Sequence, residues 1–213
     1  EKEFRSQLEF LKDMGAKIIG ASEQSYSVQG QEDTPVFGKK YVMNDQEWDT
    51  LCTGLNRLGK IAKEEYGISI TFHHHMGTVV QDPDEVDRLM KGTDPEYVSL
   101  LYDTGHFAYC GADPLEMAKK YANRIRHVHL KDIRPEIVQR VREEGLSFLD
   151  GVRAGAFTVP GDGSIDFAPI FKVLEETGYE GYMLVEAEQD PAKANPLEYA
   201  IKARKYIAEN TGL

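Results

Sequence analysis

The chain alternates between two hydrophobic periods. Phe4, Leu8 and Leu11 share one helical face and Gly15 follows them, which predicts a first helix ending near that glycine. Residues 17–20 (KIIG) read as a short buried strand. Residues 22–43 are polar, carry Gly30, Pro35 and Gly38, and are too long for a plain connector, so they predict a functional loop. Asn44 with Glu47 resembles a capping box, and Trp48, Leu51, Cys52, Leu55, Leu58, Ile61 and Ala62 mark the buried face of the helix it opens, which stops at Gly67. Strand 68–72 (ISITF) runs into His73, His74 and His75. A short helix at 84–90 precedes strand 97–102 (YVSLLY), which delivers Asp103. Asp113-Pro114 starts a helix reaching about residue 123, because Asp caps and Pro fits the first helical position. Strand 126–130 (RHVHL) leads into a partly helical excursion, 133–149, and a short strand, 157–159, before Gly161-Asp162-Gly163. Asp166 caps a helix through 176, strand 182–185 (YMLV) delivers Glu186, and Asn195-Pro196 opens the last helix, with Leu197, Ala200, Ile201 and Tyr206 available to pack.

Six strands alternating with helices predict an α/β fold with a parallel sheet. No GxGxxG or GxxxxGK[ST] loop follows the first strand, which argues against a nucleotide-binding open sheet. Six units are what a (β/α)8 TIM barrel shows when its first two β/α units are absent. The chain does not start with Met and opens inside a helix, so the expectation is one domain, 1–213, lacking its N-terminal part. No repeat, low-complexity segment or domain boundary interrupts it.

Composition changes this picture little and charge narrows it. With 41% hydrophobic and 29% charged residues, the chain has the make-up of a soluble globular protein. A formal net charge of -11 disfavours nucleic acid and anionic membrane as partners, since both would be repelled. Cys52 and Cys110 stand among apolar residues in no metal-type spacing, which reads as reduced thiols in a cytoplasmic protein. No apolar run approaches a membrane span and no signal peptide is visible.

The chemistry collects at strand ends. All six histidines lie in three segments, His73-His74-His75, His106 and His127-Val128-His129, each at or just after the C-terminal end of a predicted strand. In a β/α barrel that end carries the active site. Side chains alternate along a strand, so His73 shares a face with His75, and His127 with His129 and Lys131. Taken singly, each residue has an ordinary explanation: a hydrogen-bonded histidine, a turn or cap at Asp103-Thr104-Gly105, a salt bridge at Glu186. Four strand ends supplying imidazole or carboxylate together point to one divalent-metal site. Such a mixed set suits Mn²⁺, Co²⁺, Fe²⁺ or Zn²⁺ better than Ca²⁺. Histidines not needed as ligands are free for acid–base work. His74 points away from its neighbours and reads as structural. His127 lies deeper and reads as a core residue or a support for the ligands. Lys131 either polarises a substrate oxygen or pairs with Asp132. Gly161-Asp162-Gly163 reads first as a tight turn, and Cys52 as packing.

Asp103-Thr104-Gly105-His106, His127-Val128-His129-Leu130-Lys131-Asp132, Pro160-Gly161-Asp162-Gly163-Ser164-Ile165-Asp166 and Val185-Glu186 occur in the order seen in the xylose-isomerase-like TIM barrel superfamily. Residues 70–81 (ITFHHHMGTVVQ) and 4–20 (FRSQLEFLKDMGAKIIG) resemble the inosose dehydratase family in particular. The resemblance implies a metal site of four strand-end residues, of which Asp103, His129 and Glu186 match three. His73 stands where the superfamily places Glu, so it is a ligand by position only. By the same resemblance His75 matches a general base, and His106 the second member of an Asp-x-x-His pair. The implied reaction is dehydration of a small polyhydroxylated cyclic ketone, 2-keto-myo-inositol, to a trihydroxycyclohexane-dione, with Mn²⁺ or Co²⁺ as cofactor and Lys131 on the enolate oxygen. A response to glutathione is implied by the resemblance alone, and a homo-oligomer is left open. The 22–43 loop, with Glu23, Gln24 and Lys39, is expected to meet substrate hydroxyls. Competing readings are a sugar isomerase or epimerase using the same ligands, a phosphodiesterase of the endonuclease IV type, which the net charge opposes, and a non-catalytic sugar- or metal-binding protein.

Overall fold

A computed structural model describes residues 1–212. Its elements in chain order begin with α1 (Lys2–Asp13), β1 (Ile18–Ala21), α2 (Asp45–Tyr66), β2 (Ser69–His73), α3 (Pro83–Gly92) and β3 (Val98–Asp103). Then come α4 (Thr104–Cys110), α5 (Pro114–Tyr121), β4 (Ile125–Leu130), β5 (Asp132–Ile133), α6 (Pro135–Glu144) and α7 (Phe148–Ala154). The last are β6 (Phe157–Thr158), α8 (Ala168–Glu176), β7 (Met183–Val185) and α9 (Pro196–Thr211).

The main sheet is parallel and five-stranded, in the order β1-β2-β3-β4-β7. The sequence count of six strands is corrected here. The stretch at 157–158 does not enter the parallel sheet; it pairs antiparallel with β5, Ile133 against Phe157, as a separate two-stranded ladder closed through α6 and α7. Two residues are too short to add a strand to the main sheet. Eight strands close a barrel; the five here make an open parallel sheet of barrel type.

Local signals fix the helices around it. The α2 capping box at Asn44 and Glu47 is present, and Asp82 and Glu85 form a second one that starts α3. Asp113 and Asn195 cap α5 and α9, which open on Pro114 and Pro196, as expected. Helix α8 starts at Ala168 rather than at Asp166, whose carboxylate instead accepts the Ala168 N–H at 3.2 Å.

Phe72, Leu100, Tyr102, Val128 and Leu130 form the sheet's apolar outer face and pack with Trp48, Leu89, Phe107 and Phe171 of the surrounding helices. The opposite face carries Thr71, His73, Leu101, Asp103 and His129, so polar groups line the interior. A second core of Val36, Met76, Tyr109, Phe148 and Phe157 roofs the C-terminal end of the strands. Val36 belongs to the long 22–43 segment, which the structure ties to this roof through Val28 N–H to the Gly77 carbonyl at 2.9 Å and Val36 N–H to the Leu146 carbonyl at 3.1 Å. No helix among the described residues is long and apolar enough to cross a membrane.

Candidate metal centre

Parallel pairing brings the strand ends to one level. Asp103 stands opposite His129, and Leu130 opposite Val185, which sets Glu186 one residue further beside Lys131. His73 pairs with Leu101, two residues short of Asp103 on the same face. A register shift between Leu100 and Leu101 takes β4 past Arg126, leaving that residue exposed while His127 and His129 face inward.

One nitrogen or oxygen atom from each of His73, Asp103, His129 and Glu186 lies within 4.8 Å of the others. His73 Nε2 is 3.2 Å from Asp103 Oδ2, and His129 Nδ1 is 3.5 Å from that oxygen and 2.8 Å from Glu186 Oε2. His129 Nδ1 and Glu186 Oε2 are both buried and 2.8 Å apart but not aligned for a hydrogen bond, and Glu186 Oε2 also lies 3.1 Å from the Lys131 ammonium. Two ligand atoms each ~2.1 Å from a metal and about a right angle apart stand roughly 3 Å from one another. Ligand atoms at that spacing fit a cation in place of the His129 proton, and the two-imidazole, two-carboxylate set fits a divalent transition metal.

The electrostatics agree. Burial would raise Asp103, but Lys131, His106, His129 and His73 outweigh it and hold the carboxyl well below its usual range. Glu186, likewise raised by burial, is brought down to about 2 by His129 and Lys131. Burial works against a charged His129, yet the Asp103 and Glu186 carboxylates lift it to about 9. The remaining imidazoles are neutral. Burial lowers His73 despite Asp103. Burial and His73 take both His74 and His75 down to about 3, and burial with Lys131 takes His106 well down.

The motif around Asp103 assigns each of its residues a task. Asp103 Oδ1 accepts the His106 N–H at 2.9 Å, which starts α4 and leaves Oδ2 for the site. Thr104 clasps the Lys131 backbone, its hydroxyl donating to the carbonyl at 2.6 Å and accepting the N–H at 3.0 Å. A Cβ on Gly105 would lie 2.5 Å from Lys131 Cγ, so only glycine leaves room for that side chain. Lys131 is therefore wholly buried, its ammonium 3.5 Å from Asp103, 3.1 Å from Glu186, 3.3 Å from Glu188 and 3.3 Å from His106 Nε2. This resolves the choice left by the sequence: Lys131 faces the site, not Asp132. Asp132 turns away to accept N–H groups from Ile133, Gly163, Ser164 and Ile165 at 2.8, 3.1, 3.0 and 2.9 Å.

His75 lies against His73, ring centroids 3.7 Å apart, with a buried, unpartnered Nδ1. His106 Nδ1 accepts the Met76 N–H at 3.2 Å, so the neutral ring carries its proton on Nε2, toward Lys131. His73, His75 and His106 also bring ring nitrogens within 4.8 Å of one another, but donors face both nitrogens of His106, which leaves it no lone pair for an ion. His74 is buried against Phe107 at 3.9 Å, away from the centre, and half-buried His127 lies beneath His129 with ring centroids 5.3 Å apart. In the 22–43 loop, Glu23 accepts the Ser25 N–H at 2.7 Å, Gln24 bonds Ser22 at 3.3 Å, and Lys39 is exposed.

Sequence reasoning missed Glu188. Its position two residues after a strand-end ligand was the available signal, but the geometry that aims it at Lys131 comes from an unusual backbone angle, φ 42°.

Residues 2–210 match the model of the xylose isomerase-like TIM barrel family. An inosose dehydratase of Clostridium perfringens is 63% identical over 213 residues, all of this chain and 71% of that protein. Another from Geobacillus thermodenitrificans is 59% identical over 210 residues, 99% of this chain and 70% of that protein. Among solved structures, the IolI protein with a bound zinc atom superposes with TM-score 0.71 at 19% identity, covering 98% of this chain and 67% of that one. An L-ribulose 3-epimerase superposes with TM-score 0.68 at 16% identity, over 98% of this chain and 66% of its own; at such identities the likeness is one of fold. The chain belongs to the xylose isomerase-like TIM barrel family and, within it, to the inosose dehydratases.

Proposed function

We propose that the chain removes water from 2-keto-myo-inositol (scyllo-inosose) to give a trihydroxycyclohexane-1,2-dione, as a cytoplasmic step of myo-inositol breakdown, with Mn²⁺ or Co²⁺ held by His73, Asp103, His129 and Glu186. The observation that carries the metal reading is the convergence of one ligand atom each from His73, Asp103, His129 and Glu186 within 4.8 Å, with His129 Nδ1 and Glu186 Oε2 buried 2.8 Å apart without hydrogen-bond alignment. The substrate is that of the relatives matched along the whole chain.

A bound divalent ion supplies Lewis acidity at the substrate carbonyl, where negative charge builds as the neighbouring proton leaves. The protein's own groups do the rest. His75, unprotonated at neutral pH and with a free Nδ1, accepts the proton from the carbon beside the ketone. His106 presents Nε2–H and Lys131 its ammonium to the same space. Donor faces donor there, and an oxygen between them relieves the conflict. Lys131 first offsets charge on the enolate oxygen. Its ammonium then gives a proton to the departing β-hydroxyl, which the His106 Nε2–H holds by a hydrogen bond and which leaves as water, the C–H electron pair having become the ring double bond. The enol so formed tautomerises to the dione. Phe157 packs on His106 and beneath the Lys131 ammonium, and both groups are fully buried, which keeps bulk water from this pair.

The test is to strip the protein with chelator, restore Mn²⁺ or Co²⁺ separately, and follow dione absorbance from inosose. Metal-dependent dione formation is expected. Isomerisation or epimerisation of a simple ketose without dione from inosose would overturn the dehydratase reading, and binding of both metal and inosose without turnover would leave only a binding protein. Replacing His75 by Gln is expected to abolish turnover with the metal still bound; retained turnover would remove His75 as the base.

A further inference from the structure

Glu188 is the single non-glycine residue with positive φ among the described residues, at 42°. A Glu in the left-handed region crowds its Cβ against the backbone, so the conformation persists only where surrounding contacts impose it. Those contacts are present on the next residue. Gln189 Nε2 donates to Thr158 Oγ1 at 3.2 Å, Thr158 donates in turn to Asp162 Oδ2 at 2.7 Å, and Arg134 donates to the same oxygen at 2.6 Å. The β5–β6 ladder and the turn after it thereby hold the backbone that aims Glu188 inward.

The carboxylate arrives with one oxygen used and one bare. Oε1 lies 3.3 Å from Lys131 Nζ, while Oε2 is buried and has no partner. A counter-ion for Lys131 is not what is lacking, since Asp103 and Glu186 already stand at 3.5 and 3.1 Å. Nor does Glu188 belong to the four-residue group whose ligand atoms converge. The Tyr109 hydroxyl is also buried without a partner, and it feels the Glu188 charge. The bare acceptor of Glu188, next to Lys131 at the candidate metal centre, calls for a ligand hydroxyl, which can give it a hydrogen bond.

We propose that Glu188 is a substrate-binding carboxylate that accepts a hydrogen bond, through Oε2, from a hydroxyl of a polyhydroxylated ring at a carbon away from the bond that breaks. The strained backbone is retained because it places that acceptor, and the hydroxyl it reads orients the ring relative to His75 and Lys131. The inference takes the ring's identity from the proposed dehydratase reading, but the placement of the acceptor stands without it.

Glycine is at ease at φ 42°, so Glu188→Gly removes the carboxylate while relieving the backbone, and Glu188→Gln keeps the shape without the charge. Both are loaded with Co²⁺, whose visible absorption reports the metal site, and binding of scyllo-inosose and of a series of mono-deoxy inososes is measured by calorimetry alongside KM and kcat. The expected result is an unchanged Co²⁺ spectrum, a melting temperature for the glycine variant equal to or above that of the unaltered protein, and inosose affinity weaker by at least ~10-fold, as loss of a hydrogen bond to a charged group implies. One mono-deoxy inosose should bind the unaltered protein as weakly as inosose binds the glycine variant. Unchanged inosose affinity in the glycine variant overturns the proposal, as does loss of the Co²⁺ spectrum or of thermal stability, which would make Glu188 a structural support. Glu188-dependent binding of inosose without any dehydration would uphold this inference and reject the proposed reaction.

Discussion

At the scale of single residues, His129, as a proposed ligand, would couple metal binding to pH. Without an ion its imidazole, buried but flanked by Asp103 and Glu186, holds a proton up to about pH 9. A ligand must be neutral to bind, so the ion and the proton compete. Metal affinity is expected to rise about tenfold per pH unit below about 9 and to level off above it, with close to one proton released per ion at pH 7. Calorimetry in buffers of different ionisation enthalpy counts that proton; none released would show that His129 does not bind the ion through Nδ1. The same shift has a sign for folding. The folded value lies above the unfolded one of about 6.5, so metal-free protein gains stability from this group below about pH 6.5 and loses it as pH rises through about 9. Gly105 offers a steric test. A methyl there would sit 2.5 Å from the Lys131 side chain, which is buried and has nowhere to retreat. Gly105→Ala is expected to cost about 1–3 kcal/mol in urea unfolding and to lower kcat far more than metal affinity. Full activity in that variant would mean that the position of Lys131 does not matter.

At the scale of elements, Asp132 ties β5 to the turn that follows β6. Its carboxylate takes four backbone N–H groups, and a Cβ on Gly163 would lie 2.4 Å from its Oδ1, so this loop closes tightly around one side chain. Asp132→Ala strands those donors and is expected to destabilise the protein by about 2–4 kcal/mol, with Asp132→Asn between the two because one acceptor oxygen remains. A neutral Asp132→Ala in urea unfolding would show that the loop finds other partners. The β5–β6 ladder also shows where reading the sequence stops. The Asn44–Glu47 capping box, strand ends and the shared face of His127, His129 and Lys131 were legible because each is a local pattern of spacing, whereas the box at Asp82 and Glu85 was not read. The pairing of 157–158 was not legible, since a two-residue strand carries no record of its partner. Lys131 remained ambiguous for a similar reason. Whether a lysine is exposed or buried depends on Gly105 and Thr104, which meet it only in the fold. Glu188 was missed because its orientation rests on a φ angle imposed through Gln189, Thr158 and Asp162, and no composition rule registers that.

At the scale of the whole molecule, the proposed metal centre would act as a fastener between strands that differ greatly in how firmly they are held. Strands β2, β3 and β4 lie inside the sheet, each paired on both sides, and bury their apolar faces under helices. Strand β7 has three residues, pairs only with β4, and is followed by a segment whose anchor points into the centre are Glu186 and Glu188. Without an ion, Asp103, Glu186 and Glu188 crowd their charges around one Lys131 ammonium and the His129 imidazolium. A divalent ion and that ammonium together balance the three carboxylates once the imidazole is neutral. Metal should therefore stabilise the fold by mass action, about 2.7 kcal/mol at a free concentration one hundred times Kd. The effect should be concentrated where few other contacts hold the chain. Hydrogen exchange on protein with and without chelator checks this. Protection at 183–190 should fall markedly when the ion is removed, while 69–73 and 98–103, secured by pairing on both sides and by the outer core, should change little. A uniform loss across all strands would mean that the ion supports the whole fold cooperatively; no loss at 183–190 would mean that Glu186 is not a ligand.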